Sequence, residues 1–343
     1  MVDSKHQWKA WLYLAPAIVL LLVFTVWPIF NTIRMSLLEK YTTMDEVAGV
    51  AFNFGIGNFT RVLEYKGFLN CLRNTILLCF LTVLPSTFLA LLIAVALNSI
   101  KPFQRFLQTI FFMPYVTNSI AIGMVFAAMF NMIIGGGELP DSVGIVNNVL
   151  VFFVDAINAI LGFCANTING ALVLVDLPAL INYEPINFHY INWINAGSNY
   201  WANMTVMVIY IVWNALPFKI LILLGGLQSI NKQYYDAAKV DGTPRMRVFT
   251  HITVPLLSPM LAYVIITGFI GGFKEYTSIV GIFGENMGPA DDAGRLNTMV
   301  GFIYDALESN SQGRASAAAL ILFGIILVVT MINMQVSKKR VHY

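Results

Sequence analysis

Residues 231–259 read NKQYYDAAKVDGTPRMRVFTHITVPLLSP, a polar and basic segment between two long apolar stretches. Asn231 can cap a short helix over residues 232–241, because its side-chain oxygen accepts hydrogen bonds from the free amides of a first turn. Gly242 is placed to end that helix, since glycine commonly follows a last helical turn. The stretch therefore predicts a short, well-bounded helix in a polar connection.

A second short helix is predicted after the glycine. Thr243 supplies an N-cap and is followed by a proline, which fits the first turn of a helix. The Val-Pro step at Pro255 interrupts this helix, because proline lacks the backbone donor. The Ser-Pro step at Pro259 opens the next apolar stretch in the same way. Phe249 and Ile252 can pack the second helix back onto the rest of the chain.

The first of these helices has a distinctive face. Helical spacing places Tyr234, Ala237, Ala238 and Asp241 on one side. The two alanines are small and would let the surface of a partner approach closely. From the residues alone, an ordinary connecting loop remains an equally good interpretation.

The rest of the chain is far too apolar for a soluble protein. Hydrophobic residues make up 58% of its 343 residues and charged residues 11%, whereas a soluble domain has roughly 25% charged residues. This excludes a soluble enzyme, and the net charge of +2 offers no basic tail to nucleic acid. Cys71, Cys79 and Cys164 form no zinc-binding spacing, so they indicate core or lipid-facing positions rather than disulfides.

Six stretches are long enough to cross a bilayer, which takes about 20 mainly apolar residues. They cover residues 11–30, 72–97, 106–134, 200–227, 259–283 and 315–334. The first is too long for the apolar core of a signal peptide and is followed by no small-residue cleavage site. The predicted fold class is therefore an all-α integral membrane protein with six core transmembrane helices.

The few charges are sorted by side. With both termini in the cytoplasm, the cytoplasmic segments contain three acids and eleven basic residues, which are Lys5, Lys9, Lys101, Arg105, Lys232, Lys239, Arg245, Arg247, Lys338, Lys339 and Arg340. The outer segments contain fifteen acids and eight basic residues. Because cytoplasmic loops are enriched in Lys and Arg, this fixes the orientation. The negative outer face suits solutes and partners that are not strongly anionic.

The connection between the third and fourth spans, residues 135–199, is ambiguous. Its two apolar parts, residues 143–163 and 171–180, are interrupted by asparagines and aspartates. They could form a pair of amphipathic helices at the outer surface or an extra membrane hairpin. We favour the surface pair, because Asp155 and Asp176 are costly in lipid.

The loop at residues 231–259 closely resembles the EAA loop of ABC-importer permeases. The family pattern is Glu-Ala-Ala, two residues, Asp-Gly, then a Phe, Ile-Thr-Leu-Pro and a further Pro. The matching residues are Asp236, Ala237, Ala238, Asp241, Gly242, Phe249, Ile252, Thr253, Pro255 and Pro259. Asp236 stands where the family usually has Glu, and Val254 where it usually has Leu. Asp keeps the carboxylate but shortens its reach by one methylene.

Other matches extend the resemblance through most of the chain and point to the carbohydrate-uptake, maltose-type branch. Examples are Asn58, Phe59, Asn74, Thr75, Pro114, Gly288, Pro289, Tyr304 and Ala315. On this basis residues 1–71 form the N-terminal tail, first helix and outer loop, and residues 72–336 the permease domain. Residues 337–343 are a basic cytoplasmic tail. Residues 150–185 have no counterpart in short members and look like an insertion.

The resemblance implies a set of partners and a mechanism. In that family a second permease subunit completes the path, two ATPase subunits bind the EAA loops, and an extracytoplasmic solute-binding protein delivers the solute. This chain lacks the sequence GxxxxGK[ST], so ATP would be used by the partner ATPases and no cofactor is expected on the chain itself. The implied mechanism is alternating access in a bacterial cytoplasmic membrane, with Asp236, Ala237, Ala238, Asp241, Gly242, Phe249 and Pro255 coupling to the ATPases.

The solute path is less clear from the sequence. Sugar sites combine aromatic faces with hydrogen-bonding side chains in a concave pocket. The candidates within spans are Tyr115, Asn118, Tyr210, Trp213, Asn214, Lys219, Lys274, Glu275 and Tyr276. Helix packing is the simpler explanation for each aromatic. Lys219 can face a cavity or snorkel to the headgroups, and the Lys274–Glu275 pair can be solvated at the outer interface.

Three alternatives to a sugar permease were weighed. The same scaffold could import a phosphorylated polyol such as glycerol phosphate. A secondary transporter without an ATPase would show inverted repeats, which we do not find, and would leave the EAA-like loop unexplained. A membrane enzyme would need clustered His, Asp or Cys, whereas His6, His189, His251 and His342 are scattered.

Overall fold

The computed structural model describes residues 7–100, 104–133, 140, 142–173 and 182–340. Within these residues the chain is mainly helical. The elements are α1 (Gln7–Leu21), α2 (Trp27–Leu37), α3 (Thr43–Val47), α4 (Gly57–Glu64), α5 (Phe68–Ser99), α6 (Gln104–Val116), α7 (Ser119–Phe130), β1 (Met132–Ile133), β2 (Ser142–Val143), α8 (Ile145–Val173), α9 (Tyr200–Ser229), α10 (Lys232–Val240), α11 (Arg245–Val248), α12 (Val254–Leu256), α13 (Ser258–Gly272), α14 (Thr277–Phe283), α15 (Met299–Glu308) and α16 (Gln312–Arg340). Two π-helical segments, Leu22–Val26 and Phe249–Thr253, join α1 to α2 and α11 to α12.

Five helical stretches in the described residues are long and apolar enough to cross a membrane, and two bent helix pairs raise the number to seven. The continuous stretches are Trp11–Leu37, Phe68–Ser99, Ile145–Gly170, Tyr200–Ser229 and Gln312–Lys338. The predicted first, second, fourth and sixth spans are thereby confirmed as continuous helices. The third corresponds to the first bent pair, Phe106–Val116 and Ser119–Phe130, and the fifth begins with the second arm of the other pair, Ser258–Gly272.

The predicted third span, residues 106–134, is formed by two helices rather than one. α6 and α7 meet at an angle of 99°. The side chain of Asn118 caps α7 by accepting hydrogen bonds from the amides of Ile120 and Ala121. Pro114, near the end of α6, has no backbone donor to continue the ladder. Together they end one helix and start another in an unbroken apolar sequence.

The fifth predicted span, residues 259–283, begins as expected with α13 at Ser258 but is interrupted before its end. α13 ends at Gly272, followed by a turn in which the Lys274 amide donates to the Gly271 carbonyl over 2.9 Å. α14 then begins at Thr277. Gly271 and Gly272 make this a poor place to continue a helix, because glycine has a low helix propensity. At the other end, Arg245–Leu256 bends by 66° into α13.

The first apolar part of the connection between the third and fourth spans forms a helix that is longer than predicted. α8 runs without interruption from Ile145 to Val173, and the chain returns through an extended segment after residue 182. Most of the second predicted helix, residues 171–180, lies outside the described residues.

The described residues divide into two units, of which unit 1 comprises Met1–Thr87, Ile222–Tyr276 and Asn297–Tyr343. Its core includes Val62, Phe68, Cys71, Cys79, Val83, Phe269, Phe273, Met299, Phe302, Ala317, Ala318 and Leu322. Helices approach closely here, because a Cβ on Gly272 would lie 2.9 Å from the sulfur of Cys79. The cysteines were expected at core or lipid-facing positions; Cys71 and Cys79 are buried in this core, while Cys164 is exposed.

One buried side chain closes the end of α2 in unit 1. The amide nitrogen of Asn58 donates to the carbonyls of Leu38 (2.7 Å), Ser36 (3.1 Å) and Met35 (3.4 Å). Its oxygen accepts from the backbone amide of Lys40. A helix end leaves carbonyls without intrahelical partners, and a single asparagine satisfies several of them at once.

Unit 2 comprises Phe88–Leu221 and Thr277–Leu296. α7 packs on α14 where two glycines meet, since a Cβ on Gly123 would lie 2.7 Å from the Cα of Gly281. Small residues allow membrane helices to approach in this way. β1 and β2 pair antiparallel, with Met132 opposite Val143.

A polar cluster in unit 2 ties the start of α9 to the segment that follows α14. The Arg295 guanidinium donates to the Ser198 carbonyl and, over 2.8 Å, to the Asp292 carboxylate. The backbone amide of Gly197 donates to Asp291 over 2.9 Å. That hydrogen bond, assisted by the charge of Arg295, holds the pKa of the Asp291 carboxyl below its usual value.

We predict that Asn58→Ala lowers the free energy of unfolding by about 1–3 kcal/mol, because it leaves buried carbonyls without a donor. Thermal unfolding of the purified chain in detergent measures this. Asn53→Ala is the matched control, since Asn53 is exposed and its side chain has no hydrogen bond within the described residues. Equal stability of the two variants would contradict the proposed capping role.

Candidate functional site

The polar loop between α9 and α13 forms the first of the predicted helices with little deviation. Asn231 caps α10 by accepting a hydrogen bond from the Gln233 amide over 3.0 Å. At the other end Gly242 has φ +63°, and the amide of Thr243 donates to the carbonyl of Ala238 over 2.9 Å. The Gly242 amide donates to Lys239 over 3.1 Å, which completes a Schellman cap. Both predicted boundaries of this helix are confirmed.

The two alanines of the motif differ in exposure, which the helical spacing did not predict. Ala238 is 5% exposed and packs within the chain. Ala237 is exposed, as are Asp236 and Asp241. The expectation that both alanines face a partner is therefore wrong for Ala238. Its small size instead allows α10 to lie close against its own subunit.

The second half of the loop is more continuous than predicted. The helix does not break at Pro255, which lies in the first turn of α12, and passes from α11 to α12 through the π segment. Pro255 has no backbone N–H to donate, and the wider turns of the π segment before it accommodate this. The break comes at Leu257, just before α13. Thr243 also makes no N-cap hydrogen bond to α11.

A hydrogen bond connects the two halves of the loop. The Tyr235 hydroxyl lies 3.2 Å from the hydroxyl of Thr253, which is buried. Phe249 is half-buried, as expected for a residue that packs back onto the unit. Within the described residues α10 forms one ion pair, Lys239 with Asp236 at 3.7 Å, and both side chains are largely exposed, so it contributes little to stability. The Asp236 carboxylate remains accessible.

Five of the candidate path residues come together in unit 2, between α6, α7 and α9. Tyr115 stacks on Phe218 with ring centroids 5.9 Å apart. Trp213 borders an apolar groove of about 400 Å³. The other residues that line this groove are Ile110, Phe111, Met113, Pro114, Thr117, Ile122, Leu216 and Pro217. Aromatic faces beside a concave surface are what the sequence analysis expected for a sugar path.

Ser119 joins the remaining three candidates of this group. The Tyr210 hydroxyl donates to the Ser119 carbonyl, and the Asn214 amide lies 3.3 Å from the Ser119 hydroxyl. Asn118 is engaged as the cap of α7. Tyr210 is completely buried, so in this conformation it positions α7 against α9. Asn118 and Tyr115 are exposed, and Trp213 and Asn214 are partly exposed, so these four keep surface that could meet a solute.

The ionisable candidates have different surroundings. Lys219 is 5% exposed, so its side chain does not snorkel to the surface of the chain. Lys274, Glu275 and Tyr276 belong to unit 1, where Tyr276 stacks on Tyr304 with centroids 4.5 Å apart. Lys274 is exposed and Glu275 partly buried.

Sequence reasoning missed Ser119 and Phe218, since a serine and a phenylalanine in apolar helices carry no distinguishing pattern. Tyr304 matched the family pattern but was not proposed as a site residue, and neither was Thr298, whose hydroxyl donates to the Glu275 carbonyl over 2.9 Å. The one sequence feature that could have marked the groove is Pro217, a proline inside α9 that lines it.

The fold is shared with solved transporters. A bacterial ABC transporter involved in the import of the acidic polysaccharide alginate superposes with a TM-score of 0.69 at 18% identity, covering 98% of this chain and 97% of that one. A structure of bacterial alginate ABC transporter in complex with alginate pentasaccharide-bound periplasmic protein gives 0.70, also at 18% identity, covering 98% and 96%.

Curated relatives match over nearly the full length. The arabinooligosaccharides transport system permease protein AraP of Bacillus subtilis is 29% identical over 98% of this chain and 91% of that protein. The lactose transport system permease protein LacF of Rhizobium radiobacter is 27% identical, covering 95% and 91%. The sn-glycerol-3-phosphate transport system permease protein UgpA of Agrobacterium fabrum is 27% identical, covering 97% and 96%.

The family model for the binding-protein-dependent transport system inner membrane component matches residues 86–342, three quarters of the chain. That range contains the polar loop, the groove and every predicted site residue. The chain therefore belongs to the family of membrane permease components of binding-protein-dependent ABC transport systems.

Proposed function

We propose that this chain is the permease subunit of an ABC importer that carries a sugar or oligosaccharide into the cytoplasm. The observation that supports a sugar as the transported solute is the similarity to AraP and LacF, whose names specify arabinooligosaccharides and lactose. The aromatic rings that line the groove, Phe111 and Trp213, provide the flat apolar faces that sugar rings contact. Asn214 provides an amide for the hydroxyl groups.

The loop at residues 231–259 is the surface where ATPase subunits bind in this proposal. α10 is capped at both ends, so it can transmit force as a rigid element. Its exposed side carries Asp236, Ala237 and Asp241. α10 follows α9 after two residues, and α9 is a continuous helix that also carries Trp213 and Asn214. A displacement of α10 therefore has a short covalent route to the solute path.

The remaining partners and the orientation follow from the same proposal. A second permease subunit forms the other half of the path, two ATPases hydrolyse ATP, and an extracytoplasmic binding protein delivers the solute. The chain lies in the bacterial cytoplasmic membrane with both termini inside. The excess of basic residues on that side supports this orientation. Residues 72–336 form the permease domain in this proposal. The family match, residues 86–342, overlaps most of that range.

Glycerol phosphate is the second candidate solute, favoured by the similarity to UgpA. An anionic solute would be drawn to cationic side chains near its path. Lys219 is the one Lys or Arg between residues 106 and 231, and the outer segments have more acids than bases. The distribution of charge therefore supports the neutral sugar over the phosphorylated polyol.

The test is uptake by vesicles containing this chain, its partner permease and the ATPases, with the binding protein outside. We expect ATP-dependent uptake of a labelled arabinooligosaccharide or lactose and none of glycerol 3-phosphate. Asp236→Lys should reduce uptake at least tenfold, because it reverses the charge that meets the ATPase. Asp236→Glu should retain uptake, since it keeps the carboxylate.

Two outcomes contradict this proposal. Uptake of glycerol 3-phosphate alone would replace the sugar with the second candidate and leave the coupling role standing. Wild-type uptake by Asp236→Lys would remove Asp236 from the coupling surface.

Gly242 gives a second prediction about coupling. Its φ of +63° costs a residue with a Cβ about 1–2 kcal/mol, although no atom lies within 4 Å of the added carbon. Gly242→Ala should therefore lower uptake per ATP hydrolysed by loosening the end of α10. Gly225→Ala is the matched control, because Gly225 lies within α9 and also has open space around it. Equal coupling ratios in the two variants would exclude a role for the glycine turn.

A further inference from the structure

Two asparagines of α8 bind the extended segment that follows it through the same pattern of hydrogen bonds. Asn147 accepts from the amide of Ile191 (3.3 Å) and donates to its carbonyl (2.9 Å). Asn158 makes the same pair of hydrogen bonds with Ile186, at 2.9 and 3.0 Å. Each asparagine side chain thus pairs with one backbone unit of the extended segment 182–193, which we term the strap.

The spacing of these two pairs is matched. Asn147 and Asn158 are eleven residues apart on α8, or about 16 Å along a helix axis. Ile186 and Ile191 are five residues apart in extended chain, also about 16 Å. The strap therefore runs antiparallel along three turns of α8. The hydroxyl of Tyr183 and the indole nitrogen of Trp193 donate to the same two asparagine oxygens.

The strap cannot lie in hydrocarbon. Within the described part of the chain, the amides of Glu184 and of residues 187–190 have no acceptor. In a bilayer core each unsatisfied backbone group costs several kcal/mol, which limits lipid-exposed backbone to helices and closed barrels. These amides require water, and the three turns of α8 alongside them must lie near that water.

The opposite face of α8 is suited to lipid. The side chains at helical spacing on that face are apolar and exposed, namely Ile145, Val149, Phe152, Phe153, Ile160 and Phe163. No ionisable residue lies among them. Residues Ile145–Gly170 are apolar enough to qualify as a membrane span, whereas the surface used by a non-obligate protein partner is only about as apolar as ordinary protein surface.

Taken together, these two faces define one arrangement. We propose that α8 lies in the plane of the membrane at the outer leaflet, with its apolar face in contact with acyl chains and the strap turned to water. The polar asparagine face is occupied by the chain itself, so the apolar face is the one left for the bilayer. Asp155, exposed on the flank of α8, lies at the level of the headgroups.

The proposal goes beyond the transport function and holds for either candidate solute. The assignment to the outer leaflet rests on the proposed orientation. The in-plane position of α8 does not depend on that orientation.

Depth measurements test the arrangement directly. Val149 and Phe163 share the apolar face and are fourteen residues apart, about 21 Å along the axis. We would place single spin-labelled cysteines at these two positions in the assembled transporter in phospholipid vesicles. The background is Cys164→Ser, because Cys71 and Cys79 are buried. Power saturation with oxygen and a water-soluble nickel chelate gives the depth of each label.

An in-plane helix predicts similar, shallow depths at positions 149 and 163, and free access of the nickel chelate to a label at Asn187 on the strap. A label at Leu84, exposed in the middle of α5, serves as the deep reference. Depths that differ by most of 21 Å would show that α8 crosses the membrane and overturn the proposal. Labels at 149 and 163 shielded from both oxygen and the chelate would show a protein partner on this face and overturn it equally.

Discussion

Every backbone N–H and C=O that enters hydrocarbon must be bonded within the protein, because no water is present to replace the lost partner. This constraint accounts for the long helices and for how they end. Asn118 supplies acceptors for the start of α7 where the third apolar stretch bends. Asn58 supplies a donor for several carbonyls at the end of α2. In each case a single asparagine makes an irregular backbone tolerable.

The same constraint distinguishes the polar loop, which can bind a partner, from the apolar helices, which cross the membrane. Apolar helices fixed by glycine contacts, such as Gly123 with Gly281, leave little freedom. The polar loop is different, because water satisfies its exposed groups and its two short helices are bounded by a glycine turn and a bend. The charged side chains of α10, which are Lys232, Asp236 and Lys239, are all exposed, so a partner can bind them.

Much of the fold was predictable, because composition and charge act over whole segments. Four spans, the N-cap at Asn231 and the turn at Gly242 are confirmed. The bends were not predictable, since Pro114 is also compatible with a kinked single helix, and Pro255 was read as a break although a π turn absorbs it. The inward orientation of Ala238 could not be derived from helical spacing, which gives neighbours on a face but not the side that is buried. Pairings through Ser119 depend on tertiary packing and have no sequence signal.

The central claim is that α10 presents Ala237 to an ATPase subunit while Ala238 packs within the chain. Cysteine cross-linking measures this directly, with Ala237→Cys or Ala238→Cys opposite a single cysteine on the ATPase surface, in assembled transporter with and without ATP. The account predicts efficient cross-linking from position 237, sensitive to ATP, and little from the buried neighbour. Equal yields from both positions, or none from position 237, would contradict it.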